Sequence, residues 1–187
     1  MKAKKTLLTM QQAWTFIFEK KIAMIIAGIL LLFFLWAFLK AMLIMAFFII
    51  LGTASMLYNR FLKVSLGIEL IMLGLVITGL LYGPIPAIIV GSAAFFLSSL
   101  LNGHLQYASF VSFIAIVVVS FLIPFLSDMS ITTLGITLIL VYDAIITVGY
   151  LALGSNPVRT ALFVLTHISF NVWVFAVIAP RMFNFLQ

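Results

Sequence analysis

Cysteine is absent from the 187 residues, which excludes disulfides, thiolate zinc sites, iron–sulfur clusters and a catalytic thiol. Charge is almost as scarce. Only 7% of the residues are charged, where a soluble domain carries about a quarter. The two histidines stand far apart in the chain, too few for a metal or haem centre without help from another chain. No HExxH, GxSxG or Walker A pattern occurs. The sequence therefore points away from an enzyme, and neither a catalytic residue, a metal site nor a cofactor is expected. Net charge is +6, yet the basic residues lie at the ends of apolar blocks. The densest group, Lys2, Lys4 and Lys5, suits a cytoplasmic amino terminus, and no patch could neutralise successive phosphates. No nucleic-acid partner is expected.

What is present in excess is apolar sequence, 66% of the chain. Its blocks reach or approach the roughly 20 residues that cross a bilayer core about 30 Å thick. These features predict an all-α, polytopic transmembrane helix bundle, multi-pass in the cell membrane, with lipid as its first partner. No linker or repeat divides it, so residues 1–187 read as one transmembrane domain. Residues 1–21 mix apolar and polar side chains and suggest an interfacial amphipathic segment with Trp14 at headgroup level. The block after Lys20 and Lys21 is too long for the h-region of a signal peptide.

Five spans are expected between residues 66 and 179. They run from about Leu66 to Tyr82, Ala87 to Leu101, Ala108 to Leu126, Ile131 to Leu153 and Thr160 to Ala179. Gly83-Pro84-Ile85-Pro86, the loop around His104, Ser127–Ser130 and Gly154–Arg159 separate them. Ile22–Tyr58 is ambiguous. As one helix it is far too long for a single crossing; as two spans turning near Lys40 it lacks Gly, Pro or Asn at the turn. The chain therefore has six or seven spans. With a cytoplasmic amino terminus, seven spans put Arg60, Lys63 and Arg159 inside, and six put them outside. The positive-inside rule favours seven.

Ionisable side chains inside spans are costly, so each marks a place of interest. Asp143 falls at the middle of its span, and His167 and Asn171 at the middle of the next. Thr133, Thr137, Asp143, Thr147 and Tyr150 follow a helical rhythm, and His167 and Asn171 are i and i+4. Two facing polar stripes would make a small-molecule or cation site from Asp143, His167, Asn171, Thr147 and Tyr150. The competing reading is that Asp143 and His167 only tie two helices together. Glu69, in the first turn of its expected span, reads as a helix-terminal acid that pairs with Arg60 or Lys63. His104 reads as a solvated loop histidine.

The stretch Val64–Gly91, with Tyr82-Gly83-Pro84 leading into a helix that carries Gly91, resembles the substrate-binding S components of energy-coupling-factor (ECF) vitamin transporters and the related MreD-like membrane proteins. The end of the chain, Asn171 through Pro180 to Leu186, is similar as well, and the resemblance covers roughly residues 41–187. It implies a six-helix fold, a substrate pocket near the outer side, and a transmembrane coupling protein with two ATPases as partners. Ala23 and Ala27, or Ala37 and Ala41, have the spacing such proteins use for docking. The expectation from sequence is thus a substrate-binding or transport subunit for a small molecule. Its alternative is a non-catalytic accessory or scaffold subunit of a larger membrane complex.

Overall fold

The computed structural model describes residues 2–62, 66–103 and 106–187, with side chains from Lys20 onward. Lys63 and His104 lie outside the described residues, as do the side chains of the expected interfacial segment. Helix accounts for 87% of the structure, and no strand occurs among the described residues, as an all-α chain requires. Five helices are long and apolar enough to cross a membrane, and a sixth apolar helix is shorter.

Among the described residues, seven α-helices follow in order: α1 (Lys2–Ser55), α2 (Ile71–Tyr82), α3 (Pro84–Asn102), α4 (Ser109–Leu122), α5 (Ile131–Ala152), α6 (Pro157–Trp173) and α7 (Ala179–Leu186). Of the two readings for residues 22–58, the structure takes the single helix: α1 passes Lys40 without a turn. No proline interrupts it, and its few glycines are isolated, so nothing supplies the break that two spans need.

The chain divides into two units, Met1–Met42 and Leu43–Gln187. In the first, the large apolar side chains from Ile22 to Leu39 are exposed on every side of the helix. A helix apolar all round requires lipid or protein around it.

In the second unit, α2 is the core element. Its residues Ile71 to Gly79 are all buried, enclosed by the end of α1 and by α3, α4 and α5. Gly74 admits the ring of Phe48 from α1, and Thr53 of α1 reaches the Ala94 carbonyl of α3. The turn before α3 falls on Gly83, whose φ of +94° favours glycine. Pro84 then opens α3 at the first helical position, where a missing N–H costs nothing. The expected turn Gly83–Pro86 is therefore a single residue followed by a helix.

Caps set the other ends. Ser130 Oγ accepts from the Thr133 amide at the start of α5. Asn156 Oδ1 accepts from the Val158 and Arg159 amides, so α6 begins at Pro157, three residues before the expected span. Between α6 and α7 lies a single π turn, Val174–Ile178. Here the Ala179 amide bonds back to the Val174 carbonyl, which leaves the Phe175 carbonyl facing Pro180, a residue with no N–H to give. Thr132 Oγ1 supplies the missing donor at 2.9 Å.

The largest departure from expectation is at residues 66–70. The sequence predicts helix from Leu66; the structure has non-helical chain there, and α2 begins only at Ile71. Twelve residues rise about 18 Å, well short of a bilayer core about 30 Å thick.

Candidate functional site

The non-helical segment 66–70 is held by α6. The Gly67 amide donates to Thr166 Oγ1 at 2.8 Å, and Tyr58 accepts from the Ile68 amide while its hydroxyl donates to the Leu66 carbonyl. Gly67 lies so close to α6 that a Cβ there would run into the Cα and Cβ of His167. Glycine at 67 is thus a condition for this backbone to reach His167. The Leu70 amide donates to Ser55 Oγ at 2.9 Å, which ties the other end of the segment to α1.

That approach delivers Glu69 into the interior. Glu69 Oε1 lies 2.9 Å from His167 Nε2, and Asp143 Oδ2 lies 2.9 Å from His167 Nδ1. The second Glu69 oxygen accepts from the Ile71 amide at the start of α2, where the helix dipole favours a carboxylate. All three side chains are buried. His167 stands ten residues into α6, roughly 15 Å from its first residue, so the trio sits near mid-helix. Its ring stacks on Phe163 at 5.5 Å and lies 5.4 Å from the ring of Tyr142. These contacts fix the plane that aims both nitrogens at their partners.

The two hydrogen bonds need two protons. In one arrangement an imidazolium donates from both nitrogens to two carboxylates. In the other, a neutral ring donates to one carboxylate and accepts from the other, protonated, carboxyl. Either way the trio carries one net negative charge. A charge at this depth is expensive unless every member is hydrogen-bonded, and the mutual bonds meet most of that need.

A cavity of about 490 Å³ opens beside the trio. Alternating helix directions bring the starts of α2, α4 and α6 and the ends of α3 and α5 to one end of the second unit, and the cavity lies there. Glu69 and His167 reach it from below, and Phe95, Tyr142, Tyr150 and Phe163 line it with aromatic faces. Asn59, Asn102, Ser109 and Ser112 add polar groups, and the exposed Arg159 stands toward the open end. The volume falls within the usual range for small-ligand pockets, about 300–1,000 Å³.

The residues singled out from sequence divide between this cavity and its surroundings. Asp143 and His167 are brought together, but only His167 lines the cavity. Tyr150 lines it too, its hydroxyl 2.7 Å from Ser112 Oγ. Thr147 Oγ1 bonds back to the Asp143 carbonyl at 2.6 Å. Asn171 is fully buried, and its amide nitrogen donates to the His167 carbonyl at 3.1 Å. Thr133, expected on the same stripe, is exposed. Glu69 is the correction: its partner is His167, not Arg60. The signal was present, because Glu69 and Asp143 are the two acids within apolar blocks and His167 the histidine among them. What hid it was the helical register assumed for residues 66–70.

Comparisons with family models, with curated proteins and with solved structures return no match to this chain.

Proposed function

We propose that this chain is a substrate-binding or transport subunit for a small molecule, set in the cell membrane. The observation that carries the reading is the floor of the cavity. A buried carboxylate–imidazole pair, backed by a second carboxylate, is exposed to a ligand-sized space in an otherwise apolar bundle. Membrane transporters commonly bind substrate near mid-depth beside interrupted helices, because unwound backbone and a half-helix start offer polar groups there. The non-helical segment 66–70 followed by the short α2 supports the same arrangement. The chain is then a six-segment protein whose second segment is part irregular and part helix. With the amino terminus in the cytoplasm, the cavity opens on the outer side. That agrees with the likeness to ECF S components drawn from Val64–Gly91, under which a coupling protein and ATPases would complete the machine.

The test is ligand binding by the purified chain in mild detergent, read as a rise in Tm across a library of small solutes. A binder is expected, with affinity weakened at least about tenfold by Tyr150→Ala or His167→Gln. If no solute shifts the wild-type protein, or if binders are indifferent to both changes, the cavity is not the site.

The accessory-subunit reading rests on a different observation, the apolar surface of residues 22–42 exposed all round. It predicts stoichiometric co-purification with other membrane chains. Mild-detergent pull-down with mass spectrometry separates a subunit held through this helix from one that works alone.

A further inference from the structure

The floor of the cavity carries an acceptor with spare capacity. Each oxygen of Glu69 makes one hydrogen bond, and a carboxylate can accept about four. Asn59 and Asn102 also line the space, and the Asn102 side-chain nitrogen donates to the Met56 carbonyl at 3.1 Å.

Charge points the same way. Glu69 and its two partners bring one net negative charge to the floor. Among the described residues, the other titratable groups facing this space are Tyr142 and Tyr150 from α5 and Arg159 from α6; the described lining residues of α3 and α4 carry none. Arg159 is exposed and stands eight residues before His167, about 12 Å along the helix, where water screens it. Around the floor, Phe95, Tyr142, Tyr150 and Phe163 are aromatic, and an aromatic face attracts a cation by about 0.5–2 kcal/mol.

We infer that the cavity takes a small organic ammonium compound, its N–H groups donating to Glu69 and its body lying among the aromatic rings. The inference deepens the binding reading above and rests on it. An alcohol of the same shape has a single O–H donor and no charge. A carboxylate has neither donor nor the right sign. The site should therefore rank ligands by charge before shape.

The test compares three probes of one size, 2-phenylethylamine, 2-phenylethanol and phenylacetate, on the full-length chain in mild detergent. Binding is read by calorimetry and by Tm. The amine is expected to bind roughly tenfold or more tightly than the alcohol, the phenylacetate not at all. Glu69→Gln, which keeps the side chain's shape, should erase the preference for the amine. The wild-type ranking decides the matter even if that variant fails to fold. If the alcohol or phenylacetate binds as well as the amine or better, the ammonium assignment is wrong while the cavity remains a binding site. If none of the three binds while other solutes of the library do, the ammonium assignment is wrong and the binding reading stands; if no solute of the library binds either, both fall.

Discussion

At the scale of single residues, Gly67 and the trio answer to each other. Gly67→Ala places a methyl group against the α6 backbone at His167, and neither helix nor segment can retreat without breaking the bond from the Gly67 amide to Thr166. A loss of about 1–3 kcal/mol is expected, the usual cost of overpacking, read as a lower Tm in detergent. Glu69→Ala and Asp143→Ala should each cost more, about 3–5 kcal/mol, since each leaves a buried partner with an unmet charge or donor. Their effects should fail to add: after one bond to His167 is gone, the second is worth a different amount. A double-mutant cycle in a reversible detergent-unfolding assay measures this coupling, and simple additivity would mean the trio is not one unit.

At the scale of elements, the π turn between α6 and α7 shows how one proline is accommodated. Pro180 deprives the Phe175 carbonyl of its backbone donor, and Thr132 on α5 replaces it. Thr132→Val should therefore destabilise by about 1 kcal/mol, and far less in a Pro180→Ala background, where a backbone N–H is available again. Equal losses in both backgrounds would show that the hydroxyl is not the substitute donor. The other interrupted element, segment 66–70 with α2, was not legible in the sequence. Leu66–Tyr82 reads as seventeen residues of good span, and nothing in its composition distinguishes irregular from helical chain. The decisive contact is non-local, the packing of Gly67 on α6 about a hundred residues later. By contrast, α5 was legible from the polar loop before Ile131, whereas α6 was expected from Thr160 because Asn156 and Pro157, which cap and open it, read as loop.

At the scale of the whole molecule, a composition 66% apolar and 7% charged already pointed to what the structure has, an all-helical chain whose described residues include five helices long and apolar enough to cross a membrane. The span count was harder. The length of Ile22–Tyr58 invited a turn near Lys40, but with no breaker beside that lysine the helix runs on. The proposed orientation is directly testable, because a chain without cysteine accepts single reporter thiols with no background. Under the proposed six-segment arrangement, Tyr107→Cys at the cavity end should react with an impermeant maleimide applied to intact cells. Ser127→Cys at the opposite end should react only after permeabilisation. The reverse pattern would put the cavity on the cytoplasmic side and restore the arrangement favoured by the positive-inside rule.

The depth at which α2 begins has an electrical consequence. Under the proposed six-segment arrangement, a hydrated cavity reaching mid-helix would carry the potential of the outer solution down to Glu69, and the transmembrane voltage would fall mainly across the packed half beneath it. Moving one charge through a full 100 mV costs about 2.3 kcal/mol; a cation descending from the mouth to Glu69 would cross only a small part of that drop. Its affinity should then be nearly the same in polarised and depolarised vesicles, and any voltage dependence of transport would arise after binding, in the step that carries charge past His167 and Asp143.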